Sequence, residues 1–352
     1  MKNINIQPFD NCPALDGYHC VTNSLAKIYY HYNYPISEDM LLGLGAGMCF
    51  IYWHMKMGST DYVFIGGRGN ARDSERGFFR DIGERTGVKI ELITTSSEKK
   101  AEALLLEKLS KKEPVMVYGD MSFLPWFDLP KDYHFGEHAF VICGFDGKDT
   151  VLVSDIDQKA SGLKEGLYYP ISLEQLRKAR GSKYKPFPPK NISLKFDFTN
   201  YHSPRTNDIY SAVQQAVESQ LNPPIKNIGI KGMRYASKEI LKWPNIFKGK
   251  ELRMNLFNLY IFIEIGGTGG GCFRYMYSRF LEESARITGN KELVKVSEKI
   301  SESGKIFSEV GLLFKDAETA PNIEEKIGVA SEKFEKIADI EEEAFNCLLA
   351  SI

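Results

Sequence analysis

At 352 residues, with 43% apolar and 26% charged side chains, the chain has a globular composition and enough length for two cores. A formal net charge of −1 argues against a general nucleic-acid binder. Six cysteines, at positions 12, 20, 49, 143, 272 and 347, include no CxxC pair, which argues against a disulfide scaffold or zinc ribbon and for a reducing compartment.

The opening Met1-Lys2-Asn3-Ile4-Asn5 lacks the apolar centre of a signal peptide. The longest apolar run, Leu256 to Ile265, is broken by Asn258 and Glu264 and is too short to span a bilayer. The expectation is a soluble cytoplasmic protein with neither membrane nor nucleic acid as partner.

In chain order, Val21, Leu25, Ile28 and Tyr32 recur at helical spacing behind Cys20 and predict an amphipathic helix stopped at Tyr34-Pro35. Ser37-Glu38-Asp39 opens a second helix that gives way to the glycines of Gly43 to Gly47. A third covers Ser74 to Thr86. Lys89 to Thr95 predicts a strand, Ser97-Glu98 caps a helix through Leu109, and Pro114 to Tyr118 predicts another strand. His138 to Phe145 and Thr150 to Asp155 are β-rich runs joined by Asp146-Gly147, a strong hairpin signal. Leu167 to Ile171 and Ile192 to Phe198 complete the strands, and Ser172 with Gln175 predicts a capping box between them.

This half is therefore α+β, residues 1–200, with a mainly antiparallel sheet. Tyr201 to Arg205 marks a linker. Residues 206–352 carry only helical patterns: Asn207 to Gln220, Gly232 to Lys242, Glu251 to Ile265, Cys272 to Thr288, Lys291 to Leu313 and Ile323 to Leu349. No strand is needed there, and an all-α helical bundle is expected.

Three residues carry chemistry. A cysteine in the first helical turn has its thiolate favoured by the helix dipole, although a lone cysteine is more often a small buried residue. His138 opens a strand and Asp155 ends its hairpin partner, so the two lie at one end of the hairpin. A carboxylate there can orient the imidazole, and the imidazole can activate a thiol. The order Cys20, His138, Asp155 thus reads as nucleophile, base and orienter. His134 lies in the preceding loop without a strand to fix it, and His19, His31 and His54 show no metal-ligand spacing, so no metal is expected.

Gly17-Tyr18-His19-Cys20 followed by Ser37 to Gly47 resembles the N-terminal domain of the butirosin-biosynthesis acyltransferase (BtrH-like) family. Ile263 to Arg274, with Tyr277, Phe280-Leu281 and Glu283, is similar to the helical domain that often follows it. The resemblance implies a papain-like (cysteine-protease-like) fold and transfer of an acyl group from a carrier-protein thioester to an amine in antibiotic biosynthesis. It places Cys20 as nucleophile, His138 as base and Asp155 as orienter, and makes the phosphopantetheine arm of an acyl or peptidyl carrier protein the donor group, with no other cofactor.

Papain-like peptidases carry a glutamine six residues before the cysteine as an oxyanion donor; here that residue is Ala14. The Cys20 N–H is expected to contribute, with Asn11 and Asn23 as weak candidates for its partner. A cysteine peptidase or amidase, and a silent carrier-binding scaffold, share these features as alternatives.

Further features take bland and sharper readings. Gly266 to Gly271 is not a phosphate-binding fingerprint; it is a tight helix–helix turn, or Gly269, Gly270 and Arg274 contact the carrier arm. Cys272 shares a helix start and is the rival nucleophile. Arg177, Lys178 and Arg180, with Lys183, Lys185 and Lys190, form a solvated linker or a docking patch for an acidic carrier. Phe123, Trp126, Phe127, Tyr133 and Phe135 wall an acyl pocket or pack down their own loop. Association into a homo-oligomer stays open.

Overall fold

A computed structural model describes residues 6–57, 60–69, 74–127, 129, 133–156, 167–185 and 187–352. In chain order the elements are α1 (Cys20–His31), α2 (Glu38–Leu44), β1 (Met48–Met57), β2 (Thr60–Arg68), α3 (Ser74–Thr86), β3 (Lys89–Ile93), α4 (Glu98–Ser110) and β4 (Val115–Gly119). There follow β5 (His138–Phe145), β6 (Thr150–Asp155), β7 (Leu167–Ser172), α5 (Leu173–Gly181) and β8 (Ser193–Asp197). The rest is helical: α6 (Thr206–Leu221), α7 (Gly229–Ile240), α8 (Trp243–Ile246), α9 (Gly249–Tyr260), α10 (Arg274–Thr288), α11 (Glu292–Leu313) and α12 (Ile323–Ala350). The chain is thus α+β with antiparallel sheets and a helical C-terminal region, and no helix among the described residues is long and apolar enough to cross a membrane.

Two compact units emerge, and neither is contiguous: Met1–Leu41 with Gly87–Ser203, and Leu42–Thr86 with Pro204–Ile352. The division of the sequence into 1–200 and 206–352 is corrected accordingly. Side chains of the early segment explain why it belongs with the helices. Tyr52 N–H donates to the Asn227 carbonyl at 2.9 Å and the Asn227 amide returns to the Tyr52 carbonyl at 3.0 Å. The Tyr52 hydroxyl accepts from the Trp243 indole at 3.1 Å, and Arg85 on α3 donates to Ser211 and, at 2.7 Å, to Gln215 on α6. The helical unit therefore contains the β1–β2 hairpin, against the expectation that it needs no strand.

In the first unit, six antiparallel strands run in the order β3-β8-β4-β5-β6-β7. Phe140 and Ile142 on β5, Val151 and Val153 on β6, and Val115 and Val117 on β4 form its core with Leu105, Leu109, Leu176 and Ala179 from α4 and α5. The turn between β5 and β6 is fixed by Asp146, whose Oδ1 accepts from the N–H groups of Lys148, Asp149 and Thr150. Beyond it the pairing Val141 with Ser154 sets the register. One step further, Asp155 stands across from Phe140, and His138 lies one pleat beyond Phe140 on the same face. A diagonal pair of this kind is within reach of long side chains.

Capping follows the sequence in α4, where Ser97 accepts from Lys100 N–H. It does so only halfway in α5: Ser172 accepts from Gln175 N–H, but the Gln175 amide donates to the Phe123 carbonyl at 2.8 Å instead of closing a capping box.

Candidate active site

Cys20 is the first residue of α1 and is partly exposed. His19 caps the helix in an extended conformation: its Nδ1 accepts from Thr22 N–H at 3.3 Å, and its carbonyl accepts from Asn23 N–H. The N–H groups of a first turn have no partner inside the helix, so the backbone at Cys20 is oriented to donate outward.

The peptide leading into the helix is held from α2. Glu38 accepts from Tyr18 N–H at 2.9 Å, from His19 N–H at 3.2 Å and from the Thr22 hydroxyl at 2.9 Å. Gly17 is needed for this approach, because a Cβ there would lie 2.2 Å from both the Asn23 amide nitrogen and a Glu38 carboxylate oxygen. Enclosure of the carboxyl, opposed by those three hydrogen bonds, pushes Glu38 up to about 7.

At the sheet end, His138 Nε2 meets Asp155 Oδ2 at 2.7 Å, both side chains 2% exposed. Burial opposes a charge on His138. The Asp155 carboxylate and its hydrogen bond, followed by a hydrogen bond to Cys20, overcome that cost and push the imidazole up to about 10. With Nε2 committed to Asp155, Nδ1 is the nitrogen left for Cys20. Asp155 is itself fixed: Oδ2 also accepts from the Trp126 indole at 3.0 Å, and Oδ1 accepts from Ile156 N–H at 2.8 Å. The Phe127 ring stands edge-on to His138, with centroids 5.0 Å apart. Cys20, His138 and Asp155 are therefore brought together.

Two turns along α1 from Cys20, Lys27 is buried and its ammonium nitrogen has no hydrogen-bond partner among the described residues. Burial holds this amine below the usual lysine range, against the attraction of Asp155 and Glu38.

Other predicted residues fare differently. The Asn23 amide is spent on the Leu15 and Asp16 carbonyls, and that of Asn11 on Asn33, so neither side chain serves the oxyanion role considered for it. Arg274 is fully buried, binding Glu341 through two nitrogens and donating to the Cys49 and Cys272 carbonyls; it is not available to a carrier arm. Gly270 N–H goes to Thr268 Oγ1 and Gly271 N–H to the Glu264 carboxylate, which places an acid where a phosphate would be held. This corrects the arm-contact reading at Gly270 and Arg274, whose donors are already engaged. Cys272 is buried and its thiol is pushed up to about 12 by that burial, which removes it as a rival nucleophile.

The basic run is also revised. Arg180 is 4% exposed and pushed down to about 10 by burial, Arg177 pairs with Glu102 at 2.7 Å, and Lys178 pairs with Glu174 at 2.9 Å. A docking patch built on these three fails at Arg180.

The loop aromatics mostly pack downward. Trp126 stacks on Tyr169 at 4.6 Å, and Phe135 meets Phe187 at 5.6 Å, while Tyr133 stays exposed. His134 is bound to Asp120 at 2.9 Å and stacked on Tyr184 at 3.4 Å. Among the described residues, no group of three or more His, Cys, Asp or Glu could hold a metal ion.

Residues missed from sequence are Glu38, Lys27 and the Trp126 bond to Asp155. Lys27 alone left a usable signal, as a charge inside a helix stretch, Val21 to Tyr29, that is otherwise apolar or small and is buried throughout.

Residues 19–156 match the family model described as butirosin biosynthesis protein H, N-terminal. Residues 174–348 match a domain of unknown function (DUF4872). None of the curated proteins compared with the chain matches it. The N-terminal match supports a BtrH-like relationship over that part of the chain.

Proposed function

We propose that the chain is a cysteine-dependent acyltransferase on a papain-like fold, moving an acyl group from a carrier-protein thioester through acyl-Cys20 to an amine. The observation that carries this reading is the buried His138–Asp155 pair, 2.7 Å apart, with the imidazole hydrogen-bonded to a cysteine at a helix start. Arrangement alone allows hydrolysis as well as transfer; the BtrH-like match favours transfer.

In the first step the Cys20 thiolate attacks the thioester carbonyl. A new C–S bond forms to Cys20, the old one to the phosphopantetheine sulfur breaks, and the departing thiolate takes the proton held on His138. One thioester replaces another, so the exchange is close to isoenergetic. In the second step the amine attacks the acyl carbon, its proton passes to His138, and Cys20 leaves as thiolate. Outward-facing N–H at the start of α1 is suited to the tetrahedral oxyanion. Asp155 holds the ring so that Nδ1 faces the reaction, and Trp126 and Ile156 keep the carboxylate in place.

Incubation with an acyl-loaded carrier protein, followed by intact-mass measurement, tests this. A mass increase equal to the acyl group is expected, abolished in Cys20→Ala, with amide appearing when an amine is added. Cleavage of plain peptides without any carrier would overturn the transferase reading, and no adduct from any thioester would point to a silent scaffold.

A further inference from the structure

We propose that Glu38 is a positioning residue for Cys20: it clamps the peptide entering α1, and the clamp tightens when its carboxyl ionises. The inference rests on the reading of Cys20 as the reactive nucleophile. Three donors converge on this one side chain, and they bracket the cysteine closely. Tyr18 and His19 are the two residues before it, and Thr22 is the second after it.

A carboxylate accepts on both oxygens, which suits three donors. A protonated acid turns one oxygen into a hydroxyl and weakens what that oxygen accepts. Because the N–H groups of Tyr18 and His19 fix the two peptide planes that lead into the His19–Cys20 peptide, releasing them lets the Cys20 backbone and thiol drift from His138. Misplacement by a fraction of an ångström is costly for a reacting group.

The groups facing Glu38 set when this happens. Asp39, on its own helix, repels a second negative charge, and enclosure disfavours ionisation more strongly. From α1, the buried Lys27 amine attracts the carboxylate, and the His19 and Tyr18 N–H groups and the Thr22 hydroxyl solvate it. The balance lies near neutrality, so the clamp responds over a physiological range.

The signs of two consequences are opposite. A carboxyl held above its ordinary value contributes stability that is fully present below that value and is lost as pH rises through about 7. Positioning of Cys20 improves over the same rise. Stability and thiol reactivity should therefore move in opposite directions through this window.

The test is site-resolved alkylation of Cys20 by iodoacetamide across that pH range, needing no acyl donor. In the wild type we expect an inflection near the Glu38 midpoint. Glu38→Gln should lose that inflection and, on its alkaline side, react about tenfold more slowly, with Glu38→Asp restoring part of both. Should Glu38→Gln fail to fold, Thr22→Val removes a single donor to the carboxylate and should move the inflection to higher pH. An unchanged inflection in whichever variant folds overturns the proposal. If acyl transfer is never seen while Glu38→Gln still abolishes the inflection, the acyltransferase reading falls and the role of Glu38 stands.

Discussion

Cys20 and Cys272 occupy comparable places, one opening α1 and the other two residues ahead of α10, yet their surroundings make opposite use of a buried ion pair. Beside Cys20 the cation is an imidazole, His138, which can take and return a proton. Beside Cys272 it is the guanidinium of Arg274, bound to Glu341 at 2.8 Å and 3.1 Å, with Ser303 adding a third donor to that carboxylate at 2.6 Å. A guanidinium does not deprotonate in a protein. It draws the backbone carbonyls of Cys49 and Cys272 inward while the Cys272 thiol stays sealed. The contrast teaches that a helix-start cysteine and a buried charge pair do not make a nucleophile; a titratable partner and an approach for substrate are also required.

The comparison can be broken most severely at the carboxylates. Asp155→Asn should keep the fold near the site but lose the force that orients His138, slowing acylation of Cys20 by on the order of 10³- to 10⁴-fold in single-turnover mass measurements. Cys272→Ala, by contrast, should leave the rate of Cys20 acylation where it is. A smaller but still large effect is expected from Glu341→Gln. It strands a fully buried guanidinium and should cost the helical unit about 3–5 kcal/mol, read as lost hydrogen-exchange protection in α10 and α12. Undiminished protection would mean that Arg274 is not held chiefly by that acid.

The mildest test uses pH. His138 is raised in the folded protein to about 10, above the ordinary histidine value. Its pairing with Asp155 therefore contributes stability that is fully present below that ordinary value and is lost as pH rises through about 10. The midpoint of thermal unfolding should fall by a few degrees across that window, and Asp155→Asn should flatten this part of the slope. Equal slopes in the two proteins would show that the pair stays neutral.

The site was more legible in the sequence than the architecture, for a physical reason. His138 and Asp155 are tied by a local hairpin, and a turn as explicit as Asp146-Gly147 fixes which strand ends coincide. The local signal for β1 is weaker. Met48 to Met57 has no clean alternation of apolar and polar residues, with Cys49, Phe50 and Tyr52 all buried, although Gly58-Ser59 after it is a pair of the kind that joins hairpin strands. The assignment of Leu42–Thr86 to the helical unit depends on partners such as Asn227 and Gln215, far away along the chain.

The basic run is a similar case. Arg177, Lys178 and Arg180 look alike in sequence, but helical geometry turns Arg180 inward while its neighbours stay at the surface. Arg274 stands at a helix start with no acid near it in sequence, and the acid that binds it lies sixty-seven residues downstream. In sequence Glu38 marks only the opening of a helix, because the donors it collects come from α1 and the peptide before it.

The indole of Trp126, donating to Asp155, has an optical consequence. The chain holds three tryptophans; Trp243 is buried against the Tyr52 hydroxyl and Trp53 lies partly at the surface. Trp126 alone among them shares its hydrogen-bond partner with His138. A change in the charge of His138 is therefore expected to alter the emission of Trp126, and Trp126→Phe should remove that response from the intrinsic fluorescence. Such a reporter would need no attached dye.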